Sequence, residues 1–274
     1  MSDSRYYDAL TVLRQALAWQ IELQGEIPPT SADTSATQEH TSTEVERPVS
    51  ESTPEPSSPL MPEASEDSVA IPVNDPHPIM AAIPAENPVC ACQTLASLEE
   101  YTAAARLIDL DRTRQNPVFG VGNPNARLMV IGEAPGADED AKGEPFVGRA
   151  GQLLKKILAA ISFTRDDVYI ANILKSRPPD NRTPTAEETR AHLPILYRQI
   201  SLIKPEFILC LGKTAGNGLL GNTSSLKDMR STFHPFFGIQ VMVTYHPAAL
   251  LRNPNWKRPT WEDVQLLRHA YDAA

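Results

Sequence analysis

From residue 95 onward, short apolar segments alternate with segments of helical character, and this alternation restricts the possible folds more than any other feature. The apolar segments RLMVIG, VYIANIL, FILCLG and VMVTYH begin at residues 127, 168, 207 and 241. Nearly continuous apolar runs of this length are typical of parallel strands buried on both faces. Each run precedes a predicted helix, at about 148–161, 185–202, 213–220 and 260–271. We therefore predict an α/β fold with three layers, α/β/α, around a central, mostly parallel four-stranded sheet.

The chain before residue 95 has a different composition. Residues 27–94 contain 12 of the 25 prolines, no aromatic residue, and 11 acidic residues against one arginine. Because such a segment buries too little apolar surface to offset the entropy of ordering it, we predict a disordered acidic linker over 27–94. Residues 5–24 carry an apolar stripe at helical spacing, which predicts a helix within residues 1–26. The folded domain is then expected to cover 95–274.

Several protein classes are disfavoured by the sequence. Three cysteines are too few for a disulfide scaffold. No apolar run approaches the roughly 20 residues that span a bilayer, and the first residues lack the pattern of a signal peptide. We expect a cytoplasmic monomer without a membrane partner. Residues 95–274 contain 22 basic against 19 acidic residues, a balance that permits nucleic-acid binding without requiring it.

Three polar segments follow or end the predicted strands, namely GEAPGADED, NILKSRPPDNR and HPAALLRNP. Ligands of parallel sheets bind beyond the carboxyl ends of the strands, so we expect these segments to meet at one site. The first segment has the glycines of a phosphate-binding loop, but acids follow them instead of Lys-Ser or Lys-Thr. These carboxylates would repel a phosphate, and ordinary turn structure is the alternative.

Single residues in these segments each allow two interpretations. Phe146 lies in a polar, glycine-flanked loop, where its ring can face a planar ligand or pack in the core. Asn172 interrupts an apolar strand and needs partners for its amide, either from a neighbouring loop or from a ligand such as a base edge. His246 ends a strand, where it can meet a ligand or cap a loop. Residues 250–258, LLRNPNWKR, combine apolar and basic side chains that suit either DNA contact or a solvated loop.

The motifs taken together resemble the uracil-DNA glycosylase superfamily, and most closely its type 4 branch. The matching segments occur in the family's order and cover most of residues 110–267; they are TRQNPVFGVGNPNARLMVIGEAPGADED, GEPFVGRAGQLL, NILKSRPPDNRTPTAEE, TYHPAALLRNP and WEDVQ. This resemblance implies a DNA repair enzyme that hydrolyses the N-glycosidic bond of uracil in DNA and leaves an abasic site.

The resemblance also implies roles for individual residues. The Gly132–Asp140 motif, with Gly132, Ala134 and Gly136, would line the side of the uracil and the attacking water. Phe146 would stack on the uracil, Asn172 would read its edge, and His246 would face its O2. Leu251 and Arg252 would enter the DNA at the vacated position. Type 1 enzymes have Asp where this chain has Ala134, so Glu133 and Glu139 become the candidates for orienting the water.

A second departure from the family concerns its cofactor. Type 4 enzymes carry an iron–sulfur cluster on four cysteines, and the corresponding positions in this chain are Ala105, Ile108, Ser176 and His192. We therefore expect no metal or cofactor, and we expect packing of Ile108 and Leu110 to hold this region. Cys90 and Cys92 lie upstream and cannot replace four ligands.

Two other functions remain open at this point. The same fold could act on hypoxanthine or another deaminated base. Alternatively, the chain could be a non-catalytic protein that binds damaged or single-stranded DNA. The sequence leaves open the preference for single- or double-stranded DNA and for the opposite base.

Overall fold

The computed structural model describes residues 77–274. The predicted helix at 5–24 and the part of the predicted linker up to residue 76 lie outside the described residues. Within residues 77–274, no helix is both long and apolar enough to cross a membrane.

A mixed six-stranded sheet forms the centre of the domain. Its strands are β1 (Val121–Gly122), β2 (Leu128–Gly132), β3 (Tyr169–Asn172), β4 (Phe207–Leu211), β5 (Phe233–Phe236) and β6 (Ile239–Thr244). Their order in the sheet is β1-β3-β2-β4-β6-β5. The inner strands β3, β2, β4 and β6 are parallel, as predicted, while β1 and β5 pair antiparallel at the two edges.

The prediction of four strands missed both edge strands. β1 has only two residues, and β5 contains Pro235 and none of its residues is fully buried. An edge strand has a neighbouring strand on one side only and is less buried than an inner strand. It therefore lacks the continuous apolar run that identified the inner strands. Proline is also tolerated there, because one side of the strand needs no backbone donors.

Helices cover both faces of the sheet. They are α1 (Leu95–Ala104), α2 (Leu110–Thr113), α3 (Ala137–Lys142), α4 (Arg149–Ala160), α5 (Ala186–Ile203), α6 (Lys213–Leu220), α7 (Leu226–Met229), α8 (Pro247–Arg252) and α9 (Lys257–Ala273). Successive strand residues point to opposite faces. Leu128 and Val130 of β2 therefore pack with α4 and α9, whereas Met129 and Ile131 pack with α5 and α6. This arrangement confirms the three layers.

The folded domain begins earlier than residue 95. Two short 3₁₀ helices begin this part of the chain, Pro78–Ala82 and Pro88–Ala91. Ile83 and Val89 pack into a core cluster with α1 and α5, and Ile79 packs into a second cluster with α5. The predicted linker boundary is therefore wrong for residues 77–94. Here the prolines begin helical turns, a position where the missing N–H costs nothing.

The order of the parallel strands determines where on the sheet a ligand site can form. The chain passes from β2 outward to β3 on one side, and then crosses back to β4 on the other side of β2. The strand order thus reverses at β2, and the carboxyl ends on either side of it leave a crevice. The segments after β2, β3 and β6 open onto this crevice.

Candidate active site

A cavity of about 430 Å³ lies at the carboxyl ends of the strands. The three polar segments converge there, as the sequence predicted. The predicted residues that line it are Glu133, Ala134, Gly136, Glu139, Phe146, Asn172, His246 and Arg252. Gly132 lies beneath the cavity as the last residue of β2, opposite Asn172 in the sheet register.

A side chain at position 132 would not fit, because two functional groups approach the Gly132 backbone closely. A Cβ atom at this position would overlap the Asn172 Oδ1 and lie 2.6 Å from the Phe146 Cζ. Any other residue would displace the amide or the ring. The glycine loop therefore serves the packing of Asn172 and Phe146 against each other at the base of the cavity.

The Phe146 backbone is held in an unusual conformation. Its φ of +55° lies in the left-handed region, which is uncommon for a bulky residue. Arg165 donates hydrogen bonds to the carbonyls of Pro145 (2.9 Å) and Phe146 (3.0 Å), and a Cβ at Gly151 would overlap the Phe146 carbonyl. These contacts fix the ring as a wall of the cavity, 5.7 Å from the His246 ring and tilted 32° to it.

The Asn172 side chain is buried at the end of β3, with 2% of the residue exposed. Its Oδ1 atom is buried, and no donor among residues 77–274 binds it. Leaving a buried polar atom unpaired costs about 1–3 kcal/mol, so such an atom facing a cavity points to a ligand that donates. The backbone carbonyl of Asn172 accepts a hydrogen bond from the Lys175 Nζ at 2.8 Å.

His246 follows β6 and caps the N-terminus of α8. Its Nδ1 atom accepts a hydrogen bond from the Ala248 N–H at 3.1 Å. Burial, and then the charge of Arg252, lower the pKa of His246 to about 4. The imidazole is therefore neutral at pH 7. Since Nδ1 is an acceptor, the proton is assigned to Nε2, which can act as a donor.

The carboxylates of the first loop have different surroundings. Glu139 accepts hydrogen bonds from the backbone N–H groups of Gly136 (3.1 Å), Val147 (3.0 Å) and Gly148 (3.2 Å). Its two oxygens thus join the glycine loop to the Phe146 loop. Asp140 is buried away from the cavity, where it accepts from the Gln115 N–H at 3.0 Å. Glu133 lines the cavity, and no donor among the described residues binds its carboxylate.

The loop after β3 contributes residues that the sequence did not single out. Pro178, Asn181, Arg182 and Thr183 line the cavity. Asp180 and Asn181 both have φ of +54°, and Arg182 forms a two-point ion pair with Glu188 at 2.6 and 2.9 Å. The segment itself was predicted from its place after a strand, but a turn motif carries no signal for which of its side chains faces the site.

The HPAALLR segment contains α8, and its side chains differ in how deeply they are buried. Leu250 is completely buried, so its side chain belongs to the core and to neither a DNA-contacting nor a solvated surface. Leu251 is half-buried against the core, and Arg252 is exposed at the rim of the cavity. Trp256, just beyond α8, is 37% exposed and stacks on Tyr245 with ring centroids 4.9 Å apart.

Three of the four positions that we predicted to replace cluster ligands, Ile108, Ser176 and His192, contact a buried carboxylate. Asp111 accepts hydrogen bonds from the backbone N–H groups of Leu107 and Ile108, and from the side chains of Arg114, Ser176 and His192. Arg114 in turn donates to the Ala105 carbonyl at 3.2 Å. We refer to Asp111, Arg114, Ser176 and His192 as the Asp111 network.

The Asp111 network corrects the expectation that packing alone holds this region. Leu110 is buried and Ile108 packs on the core, as expected, but the ionised carboxylate is central. Burial alone would raise the pKa of Asp111, yet hydrogen bonds from His192 and Ser176 hold it well below its usual range. Ala105 and Ile108 have no ligating atom, and an iron–sulfur cluster requires thiolates, so these residues do not fit the cluster.

Comparison with known proteins identifies the family of the chain. Residues 119–265 match the family model of the uracil DNA glycosylase superfamily. A type-4 uracil-DNA glycosylase of Archaeoglobus fulgidus is 41% identical over 181 residues, which cover 63% of this chain and 91% of that protein. The type-4 enzyme of Pyrobaculum aerophilum is 42% identical over 180 residues, covering 63% and 92%. That of Thermotoga maritima is 42% identical over 160 residues, covering 57% and 83%. The chain therefore belongs to the uracil-DNA glycosylase superfamily.

Proposed function

We propose that this chain is a uracil-DNA glycosylase, which hydrolyses the N-glycosidic bond between uracil and deoxyribose and leaves an abasic site. One observation carries the proposal: the buried Asn172 Oδ1 lacks a donor and lies in the same cavity as the neutral His246. A uracil turned out of the DNA stack supplies the missing donor and enters a cavity that has an aromatic wall. The related type-4 enzymes support the same activity.

Base recognition follows from the hydrogen-bonding groups of Asn172. Its carbonyl accepts from the uracil N3–H, and its amide N–H donates to O4. Cytosine has an acceptor at N3 and a donor at the 4-position, so both contacts become repulsive. A site built on such buried polar groups rejects the analogue that leaves them unpaired. The Phe146 ring offers its face to the pyrimidine ring.

Bond cleavage needs a group that stabilises the departing base. The bond between C1′ and N1 breaks with both electrons on uracil, and negative charge develops on O2. The His246 Nε2–H donates to that oxygen, and burial makes such a bond stronger than it would be in water. The imidazole is neutral from the start, so it stabilises the anion as a hydrogen-bond donor.

The sugar becomes positively charged as uracil leaves. A carboxylate beside C1′ stabilises this charge and orients the attacking water, as carboxylates do in other glycoside hydrolyses. Glu133 suits this role because its oxygens are not bound by any donor in residues 77–274, whereas those of Glu139 hold the loops. Water adds its oxygen to C1′, and its proton is released to balance the uracil anion.

DNA contact is assigned to Leu251 and Arg252. Both lie on α8, whose N-cap is His246, so they stand beside the cavity. Arg252 is exposed at the rim, where its charge can bind a backbone phosphate. Leu251 is half-buried and can fill the space that the uracil vacates only if the DNA approaches α8 closely.

Within the superfamily we assign the chain to type 4, in a form that works without an iron–sulfur cluster. The relatives named above support the type, and the Asp111 network supports the absence of the cluster. Protein purified without oxygen should be colourless and contain no iron. Stoichiometric iron and acid-labile sulfide in that preparation would contradict this assignment.

The activity is tested on labelled oligonucleotides that carry one uracil, in single and double strands, without added metal. Alkali cleaves the strand wherever an abasic site forms. We expect cleavage of the uracil strand by the wild type, and much less by Asn172→Asp, because a carboxylate cannot donate to O4. Asn172→Asp should lower the rate of uracil excision more than the rate of cytosine excision. Loss of one donor should raise the activation barrier for uracil by on the order of 3 kcal/mol.

Assays with other oligonucleotides distinguish the two alternative functions, a glycosylase for another base and a non-catalytic DNA-binding protein. Cleavage at hypoxanthine but not at uracil would change the substrate, and binding of the uracil strand without any cleavage would indicate a non-catalytic protein.

A further inference from the structure

Lys175 is the largest completely buried side chain of the described residues, and the mechanism above does not use it. It lies three residues after Asn172. Lysine is almost never fully buried without partners, because moving its charge out of water is costly. Burial accordingly lowers the pKa of Lys175 to about 7. The free energy cost of burying Lys175 must therefore be offset by its contacts.

The ammonium group of Lys175 has three acceptors around it. Its Nζ atom donates to the backbone carbonyl of Asn172 at 2.8 Å, to that of Phe119 at 3.2 Å, and to the Gln199 Oε1 at 2.6 Å. Three acceptors match the three protons of an ammonium group. Gln199 also donates to the Phe119 carbonyl at 3.0 Å, so the three partners form one connected unit.

These contacts join Asn172 to elements that are distant in sequence. Gln199 lies on α5, and Phe119 lies before β1. The backbone N–H of Lys175 donates to the His192 Nδ1 at 2.9 Å, and the other ring nitrogen of His192 lies 3.1 Å from the Asp111 carboxylate. Lys175 therefore ends a chain of buried polar contacts that begins at the Asp111 network and reaches the backbone of Asn172.

We propose that Lys175 is a positioning residue, which holds the Asn172 carbonyl and thereby sets the angle at which the Asn172 amide meets the uracil edge. This inference rests on the proposed function. The Asn172 Oδ1 lies so close to Gly132 that a Cβ atom there would overlap it. At such a closely packed position, a small rotation of the Asn172 backbone moves the amide out of register with N3–H and O4. Orientation errors of this kind lower the rate without removing any contact to the substrate.

The test is a double-mutant cycle between Lys175→Met and Asn172→Ala, read out as the single-turnover rate of uracil excision. Lys175→Met keeps the length of the side chain and removes its donors. Loss of one charge-assisted hydrogen bond corresponds to about 10- to 100-fold in rate. We expect that loss when Asn172 is present and less than about threefold when it is replaced, since two residues that act as a unit are not additive. Equal losses in both backgrounds would overturn the proposal.

A matched control separates positioning from stability. Arg198, which lies on α5, is another buried cation, and its guanidinium donates to the Cys92 carbonyl at 2.7 Å, away from Asn172. Arg198→Met should lower the melting temperature as Lys175→Met does, but leave the excision rate within about threefold below that temperature. If Lys175→Met does not fold, Gln199→Leu replaces it, because that variant removes one of the three acceptors and should show a smaller loss in the same direction.

Binding to an uncleaved uracil oligonucleotide gives the second readout of the same cycle. A wild type that binds uracil DNA without cleaving it contradicts the proposed function but still tests Lys175 through Kd. A wild type that neither binds nor cleaves overturns both.

Discussion

At the residue scale, the two glutamates of the cavity differ in what already binds their oxygens. Glu139 accepts from three backbone N–H groups of two loops, whereas Glu133 lines the cavity and no donor among the described residues binds its carboxylate. A group whose oxygens are occupied is poorly placed to orient water. The resemblance to known glycosylases left both candidates open, and this difference is the reason why we propose Glu133 for the water.

This division predicts different losses for Glu133→Gln and Glu139→Gln. Glu133→Gln should lower the single-turnover rate by about 100-fold, since removal of one group that stabilises the developing charge costs roughly 10²–10³. Its melting temperature should stay unchanged. Glu139→Gln should destabilise the protein by about 1–3 kcal/mol, because at least one backbone N–H loses a charged acceptor. Rate measurements and urea unfolding on both variants check this, and the opposite pattern would assign the water to Glu139.

His246 gives a prediction about pH. Its pKa is about 4 in the folded protein and about 6.5 in an unfolded chain, so between these values the unfolded chain binds more protons. The contribution of His246 to stability is therefore complete above pH 6.5 and is lost as the pH falls toward 4.

The His246→Asn variant provides the comparison for this pH dependence. Asn keeps an acceptor for the Ala248 N–H and does not titrate. Between pH 7 and pH 4 the free energy of unfolding should fall more in the wild type than in this variant. Identical pH dependences would show that His246 has an ordinary pKa.

At the scale of elements, the Asp111 network joins three pieces of the chain. Asp111 and Arg114 belong to α2 and its C-terminal end, Ser176 to the loop after β3, and His192 to α5. The same loop continues to the cavity residues Asn181 and Arg182. The network thus fixes the base of a loop whose far end lines the site.

Removal of the central charge should destabilise this region strongly. Asp111→Asn leaves the buried guanidinium of Arg114 without its counter-charge, and breaking a buried ion pair typically costs about 3–5 kcal/mol. The matched control is Asp109→Asn, because Asp109 is fully exposed and only 3.9 Å from Arg112; exposed pairs contribute about 0–1 kcal/mol. Urea unfolding measures both. Equal stabilities would mean that packing alone holds the segment.

At the scale of the whole molecule, residues 77–94 belong to the domain. They bury Ile79 against α5, bury Ile83 and Val89 against α1 and α5, and give Arg198 its carbonyl acceptor. Removal of three such side chains exposes the surface they cover, at about 1.5–3 kcal/mol each.

Two truncations test this boundary. Deletion of residues 1–76 should leave a soluble protein with normal uracil excision, because the acidic, proline-rich composition of 27–76 provides little apolar surface for a core. Deletion of residues 1–94 should lower the melting temperature by more than about 5 °C or cause aggregation, since 1 kcal/mol corresponds to roughly 2–4 °C in a domain of this size. Equal melting temperatures would return the boundary to residue 95.

The sequence by itself determined the inner sheet and the place of the site. Strands buried on both faces need continuous apolar runs, so β2, β3, β4 and β6 were visible locally, and parallel strands bring their carboxyl ends together. The positions of Phe146, Asn172 and His246 made them candidates, and their predicted roles came from the resemblance to the glycosylases.

Only the tertiary structure decided which partner each polar side chain meets. Asp111 and His192 are 81 residues apart, and Lys175 and Gln199 are 24 residues apart, so no local sequence pattern predicts either contact. The edge strand β1 and the packed prolines of 77–94 were missed for the same reason, because they pack on segments that are remote in sequence. Local periodicity reports whether a residue is buried, whereas the atoms that surround it are fixed by how distant segments pack.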